Sequence, residues 1–200
     1  PVRVHRDDLE RFTQCALGAL GKHVPRSSGE DRSRRRAGQN MILAGLITTL
    51  RRRGQRGRFV SLEDDTGRLE VALFDEVYNR YAELLLKDEI IIVEGKVSID
   101  DFSGGYRMTA NHVMSLAEAK AHYARGVRIT VQGPSERLCD QLESTFAPYR
   151  RGAARVVVDY RHARARARLE LGDEWSIKAC EELVVALSEL EDVKDARLLY

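Results

Sequence analysis

The sequence predicts an α+β protein with two small domains, a closed β-barrel followed by a four-stranded sheet with two helices. Three observations support this fold class. First, 200 residues with 43% hydrophobic content and four prolines are enough to bury two modest cores. Second, the middle of the chain has five runs with the two-residue alternation of strands and one with helical spacing. Third, the last part of the chain has its own sequence of strands and helices.

The barrel is predicted from the order of elements in the middle of the chain. Strands are expected at MILAGLITTLRR, RFVSLEDD and RLEVALF, a helix over residues 75–87 with Asp75 as its cap, and strands at EIIIVEGKVSID and YRMTANHV. Gly45 inside the first run suggests a bend, because glycine lacks a Cβ. Five strands with a helix after the third and a basic first loop are typical of the OB-fold.

The second domain is predicted to be β-α-β-β-α-β. VRITVQ, ARVVVDYR, ARARLEL and DVKDARLLY read as strands, and SERLCDQLESTFAPYR and SIKACEELVVALSEL read as helices. In this split βαβ arrangement, two helices cover one face of a four-stranded sheet. A connecting helix, SLAEAKAHYARG, is expected before it. Cys139 and Cys180 are expected in the core.

The N-terminal part is predicted to be a connecting helix and a basic linker. Residues 9–20 place apolar side chains on one side of a helix, whereas PRSSGEDRSRRRAG lacks periodicity and is expected to be a solvated tether or a phosphate-contacting arm. The predicted limits are 1–40 for this segment, 41–114 for the barrel and 115–200 for the last domain. Because the chain begins at Pro1, a fragment of a longer protein is expected, although methionine removal before proline would look the same.

The loop LRRRGQRGRF gathers five arginines in a chain whose formal net charge is only +2. Guanidinium groups engage phosphate oxygens in pairs and stay charged, and the first and last loops of an OB barrel flank its binding groove. Binding through phosphate contacts is strong at low salt and does not select sequence. The alternative is a solvated turn without a partner. The predicted phosphate-binding residues are Arg51, Arg52, Arg53, Arg56 and Arg58.

Aromatic side chains near this groove are candidates for stacking on bases. Phe59 lies on the strand face opposite Val60 and Leu62, although packing under a loop is an equal alternative. Phe102 is a second candidate in the loop between the last two strands, with Arg107 on the next strand. The remaining aromatics of the region are expected to pack: Phe74, Tyr78, Tyr81 and Tyr106.

No catalytic residues, metal site or cofactor are predicted. The acidic pairs Asp64/Asp65 and Asp100/Asp101 read as turns, the five histidines are scattered, and no glycine-rich phosphate cradle is found. The three cysteines have no zinc or disulfide spacing. No apolar run is long enough to cross a membrane. A cytoplasmic protein without membrane contact is expected.

A basic hairpin is predicted in the second domain. Its alternation places arginines on one face and Ala165, Ala167 and Leu169 on the other. Charge that protects an edge strand from aggregation and a docking face for protein or nucleic acid remain equal alternatives. The basic residues are Arg155, Arg161, His162, Arg164, Arg166 and Arg168.

Residues 43–131 closely resemble the C-terminal region of the bacterial replicative DNA polymerase III alpha subunit family. LEDDTGRLEV, DDFSGG and YARG are the most specific segments, and a weaker collinear similarity extends to Tyr200. The shorter pattern F..LED..G..EV also occurs in the anticodon-binding barrels of aminoacyl-tRNA synthetases, whereas its continuation separates the two.

The resemblance implies an OB domain that contacts single-stranded template DNA and a last domain that binds the tau subunit of the clamp loader within the replisome. The family's first barrel loop is basic, although this chain's loop is shorter. The parent enzyme would be a DNA-directed DNA polymerase, a nucleotidyltransferase whose catalytic residues lie outside this chain. The alternatives are a protein-binding OB scaffold and a tRNA-binding appendage of a synthetase. The residues assigned to partner binding are Val193, Leu198, Leu199 and Tyr200.

Overall fold

The computed structural model describes residues 2–24, 38–52, 57–100, 103–133 and 135–200, without the side chain of Arg3. The chain divides into two compact units, residues 1–116 and 117–200. Across these described segments, no helix has the length and apolar character needed to cross a bilayer.

The first unit contains a closed five-stranded barrel. Its strands are β1 (Gln39–Arg52), β2 (Gly57–Glu63), β3 (Arg68–Phe74), β4 (Ile90–Ile99) and β5 (Tyr106–Ser115). They close in the order β1-β2-β3-β5-β4, with β3 and β5 parallel and the other pairs antiparallel. The predicted OB-fold is confirmed.

Strand β1 pairs with two neighbouring strands and bends where it passes from one to the other. It pairs with β4 up to Leu46 and with β2 from Leu46 onward, with a bulge between Ile47 and Thr49. A Cβ on Gly45 would lie 2.9 Å from the Cβ of Leu62. Glycine is therefore needed for close approach of the strands where β1 changes partner.

The N-terminal segment packs onto the barrel as two short helices, α1 (Arg6–Phe12) and α2 (Leu20–His23). The prediction of one helix over residues 9–20 is wrong. The Gln14 backbone N–H donates to the Ile42 carbonyl at 3.1 Å, so the chain between the helices is tied to β1. Leu17, Leu20 and Val24 then join the barrel core.

Helix α3 (Asp75–Tyr81) follows β3 and is extended by a 3-10 turn, Ala82–Leu84. It ends earlier than the predicted residue 87. Phe74 occupies the cap position and no side chain caps the helix, so the capping role predicted for Asp75 is wrong. As expected, Tyr78 and Tyr81 pack against the barrel core.

The second unit has the predicted split βαβ arrangement. Helix α4 (Leu116–Tyr123) leads into β6 (Gly126–Gln132), α5 (Leu138–Phe146), β7 (Arg150–Arg161), β8 (Arg166–Glu170), α6 (Glu181–Ser188) and β9 (Val193–Leu199). The sheet order is β8-β7-β6-β9. Strands β6 and β7 are parallel, and the other neighbours are antiparallel.

The second core lies between the helices and one sheet face. It contains Phe146 from α5 and Leu183 and Leu187 from α6, packed on strand residues such as Val156. Cys180 is half-buried against this core, where burial raises the pKa of its thiol. Cys139 is exposed, so its predicted core position is wrong.

Candidate nucleic-acid interface

The outer surface of the barrel carries a continuous face across β1, β2, β3 and β5. Val60 and Leu62 are fully buried, so the alternation of β2 turns Phe59 and Ser61 outward, as predicted. Strand pairing joins these positions into two rows. One row is Arg51, Phe59, Ala72 and Thr109, and its neighbour is Thr49, Ser61, Glu70 and Arg107.

The described arginines of the basic loop fall on two sides of the hairpin. Arg51 is exposed and lies directly opposite Phe59 on the outer face. Arg52 pairs with Arg58, one position further along, where side chains point the other way. Arg53 and Arg56 lie outside the described residues.

Arg58 has a structural partner. Its guanidinium carbon lies 3.8 Å from the centre of the Tyr78 ring on α3. Its Nε is buried, with no hydrogen bond to any described residue. This cation–π contact secures the end of β2 to the helix, so Arg58 is less available to phosphate than Arg51.

Arg107 connects the outer face to two carboxylates. It forms ion pairs with Glu70 at 3.0 Å and with Asp100 at 3.2 Å. Its guanidinium carbon lies 5.4 Å from the centre of the Phe59 ring. Arg107 is therefore largely neutralised by internal partners, and it flanks the ring that is predicted to stack on bases.

Phe74 is an exposed aromatic residue that the sequence interpretation assigned to packing. Phe74 is 60% exposed, so that interpretation is wrong. Phe74 pairs with Gly57 across the β2–β3 ladder, and Phe59 pairs with Ala72. The two rings are thus diagonal neighbours on the outer face. The parity of Phe74 with Ala72 was the signal that could have identified it.

Asp64 and Asp100 serve turns, as predicted, whereas the carboxylate of Asp65 forms an ion pair with Arg6. Asp64 accepts hydrogen bonds from the backbone N–H groups of Thr66 and Gly67 at 2.7 and 2.8 Å. Asp100 accepts one from the Ser103 hydroxyl at 2.7 Å. Asp101 and Phe102 lie outside the described residues. Within the described part of the chain, no group of three His, Cys, Asp or Glu side chains is placed to hold a metal ion.

The predicted basic hairpin consists of β7 and β8. Asp159 on β7 accepts hydrogen bonds from Arg168 at 2.7 and 3.3 Å, and this contact holds the pKa of its carboxyl below its usual range. All residues of β8 are exposed, and Leu169 is 51% exposed. The second face of β8 is therefore apolar but uncovered.

The four C-terminal residues assigned to partner binding have different environments. Val193 and Leu198 belong to the core of the second unit. Leu199 and Tyr200 are half-buried, and the Tyr200 ring packs against the same core. Only Leu199 and Tyr200 therefore offer surface.

Comparison with known families agrees with the division into two units. Residues 41–116 match the family described as OB-fold nucleic acid binding domain. Residues 141–190 match the family described as DNA polymerase III subunit alpha, C-terminal domain. The fold and these matches define the class as an OB-fold barrel protein with an appended α+β domain.

Curated relatives identify the family more narrowly. The DNA polymerase III subunit alpha of Vibrio cholerae is 35% identical over 196 residues, which is 95% of this chain and 16% of the relative. That of Escherichia coli K12 is 40% identical over 153 residues, which is 74% of this chain and 13% of the relative. The chain belongs to the DNA polymerase III alpha subunit family, and it spans about a sixth or less of these relatives' length.

Among solved structures, an asparaginyl-tRNA synthetase from Pyrococcus horikoshii matches 40% of this chain and 19% of its own chain. The sequence identity is 26% and the TM-score is 0.36. A match of this extent supports no argument about function.

Proposed function

We propose that residues 41–114 form a domain that binds single-stranded DNA with little sequence preference, as part of a replicative DNA polymerase. The observation that carries this proposal is the outer barrel face, where Arg51 lies opposite Phe59 and Phe74 lies diagonal to it. Arginine supplies phosphate contacts and the rings supply stacking surfaces that accept any base. Arg53, Arg56 and Phe102 remain proposed nucleic-acid contacts on the basis of the sequence alone.

A titration with labelled dT25 at two salt concentrations tests this function. The proposal predicts steep weakening at the higher salt, because each phosphate contact releases counterions. A protein-binding scaffold would show no binding or no such dependence. A tRNA-binding appendage would prefer folded tRNA to dT25, so tRNA is included as a competitor.

We also propose that residues 115–200 dock the tau subunit of the clamp loader and so link the polymerase to other replisome subunits in the cytoplasm. The polymerase activity would belong to the longer protein, with its catalytic residues outside this chain. What supports docking is the family membership together with a separate second unit that carries exposed apolar and charged surface.

Removal of residues 193–200 is not a suitable test, because Val193 and Leu198 are core residues and the unit would be left without a strand. A better test measures the capture of purified tau by the full chain and by its Tyr200→Ala variant. Val185→Ala is the matched control, since Val185 is 57% exposed in the same unit. Unchanged capture by Tyr200→Ala would remove the C-terminus from the interface, and no capture by the unaltered chain would reject docking.

A further inference from the structure

Strand β8 is an unpaired edge with two chemically different faces. It is the terminal strand of its sheet, and within the described part of the chain no strand pairs with its outer side. Arg166, Arg168 and Glu170 alternate with Ala167 and Leu169. One face is therefore dominated by arginine and the other is apolar.

The hydrogen bonds of the hairpin determine which backbone groups of β8 point outward. The His162 N–H donates to the Ala165 carbonyl at 2.8 Å, and the Ala165 N–H donates to the His162 carbonyl at 3.3 Å. Bonded and non-bonded pairs alternate along an antiparallel ladder. The neighbouring pair, Arg161 with Arg166, is therefore non-bonded. The pair two positions further along, Asp159 with Arg168, is non-bonded as well. By the same alternation, the backbone N–H and C=O groups of Arg166, Arg168 and Glu170 point off the edge.

Positive charge at this edge exceeds the negative charge that compensates it. Arg168 is held by Asp159. In contrast, Arg161 and Arg166 face each other across the strands, and neither has a carboxylate within 4.0 Å among the described residues. Like charges directly opposite on a sheet are destabilising. An anionic partner would relieve this repulsion.

The charge and the side-chain parity of this edge indicate which kind of partner fits it. A second copy of this edge would bring arginines against arginines, which is how charged edges prevent self-pairing. A nucleic acid would find no ring to stack on beside Arg166 and Arg168, because Tyr160 has the opposite parity on β7. An extended peptide would use the free backbone groups, and its apolar side chains would cover Leu169.

We propose that β8 is a β-augmentation site for an extended acidic segment of a partner protein. Carboxylates at alternate positions of that segment face Arg161, Arg166 and Arg168, and the apolar residues between them cover Ala167 and Leu169. The inference rests on the proposed docking function of the second unit, for which it specifies the surface and the chemistry of the partner.

The test uses the full chain and an acetylated nine-residue peptide of alternating Glu and Val. Hydrogen exchange followed by NMR is expected to slow at the amides of Arg166, Arg168 and Glu170 when the peptide is added. Two control peptides are expected to protect nothing there, one with the same composition in two blocks and one with Lys in place of Glu. Equal protection by either control would overturn the proposal.

Charge reversal adds a second test. The Arg161→Glu/Arg166→Glu variant is expected to bind the alternating peptide at least tenfold more weakly, whereas Arg80→Glu/Lys87→Glu, with the same charge change in the first unit, keeps its affinity. Retained affinity in the β8 variant would refute the site. Displacement of the peptide by dT25 from the same amides would assign the edge to nucleic acid instead.

The purified tau subunit separates this inference from the docking proposal. Protection of the β8 amides in a complex with tau supports both. A complex that leaves these amides unprotected removes the β8 inference and keeps the docking function. Failure of tau to bind the unaltered chain rejects the docking function, and the peptide experiment then decides the β8 site by itself.

Discussion

The guanidinium group of Arg107 flanks the Phe59 ring at 5.4 Å while its charge is directed to Glu70 and Asp100. The outer face of the barrel thus holds an arginine that supports an aromatic ring and has carboxylate partners of its own. In our account, these carboxylates limit the affinity of the face for single-stranded DNA.

Neutralising Glu70 is therefore expected to strengthen binding. Glu70→Gln removes a negative charge beside the rings and leaves Arg107 freer to contact phosphate. Because exposed ion pairs contribute about 0–1 kcal/mol, the expected gain is up to about fivefold, measured by anisotropy with labelled dT25. Glu76→Gln is the control, because Glu76 on α3 also forms an ion pair with an arginine, Arg80. Equal effects of the two variants would indicate a nonspecific charge effect.

The two aromatic residues are expected to carry the stacking contribution. Phe59→Ala and Phe74→Ala should each weaken dT25 binding by about 1–3 kcal/mol, the range for stacking of one base. Phe74→Tyr should retain most of the affinity, because it keeps the ring.

Leu86→Ala is the matched control for Phe74, since Leu86 is a large apolar residue of the same unit that is 57% exposed. Its binding should equal that of the unaltered chain. If Phe74→Ala also binds normally, Phe74 is not part of the interface.

Arg51 and Arg58 are expected to have different roles, Arg51 in DNA binding and Arg58 in the stability of the fold. Arg58→Ala removes the cation–π interaction with the Tyr78 ring and should lower the free energy of unfolding by about 1 kcal/mol, measured in urea. Arg51→Ala should leave stability unchanged and weaken dT25 binding. The reverse pattern would contradict the different roles assigned to the two arginines.

The stability of the second unit should depend on Asp159 at low pH. Its pKa is lowered in the folded state, mainly by the hydrogen bond from Arg168, whereas an unfolded aspartate titrates near pH 4. The ionised carboxylate therefore stabilises the folded form above about pH 4, and this contribution disappears as pH falls through the lowered pKa.

Asp159→Asn should be less stable than the unaltered chain at pH 7, with a difference that shrinks toward pH 2. The chain's single tryptophan, Trp175, lies in this unit, so its fluorescence during urea unfolding follows the relevant transition. A difference that does not change with pH would contradict the assignment.

Alternation in the sequence was enough to orient β2 and to identify the five barrel strands along the chain. Phe74 was misassigned although it shares the parity of Ala72, because it lies where a strand ends and a helix begins and was counted with the helix. Cys139 shows a similar limit. It was placed in the core beside Leu138, but successive residues of an α-helix are about 100° apart, so only Leu138 faces the core.

Long-range contacts also escaped the sequence interpretation. The chain between α1 and α2 makes a backbone hydrogen bond from Gln14 to Ile42, and no local pattern encodes that pairing. Arg107 was predicted to contact DNA from its position on β5. Its ion pair with Glu70 follows from the parallel pairing of β3 with β5, and these strands become neighbours only when the barrel closes.

The most direct test of the central claim is the salt dependence of dT25 binding in the variant with Arg51, Arg52, Arg53 and Arg56 all changed to alanine. We predict weaker binding at low salt and a shallower dependence of affinity on salt, by about 0.7 unit of slope for each arginine that no longer reaches a phosphate of the single strand. A control that changes Arg161, Arg164, Arg166 and Arg197 to alanine removes the same charge from the second unit and should bind normally. Unchanged low-salt affinity in the loop variant would contradict the account.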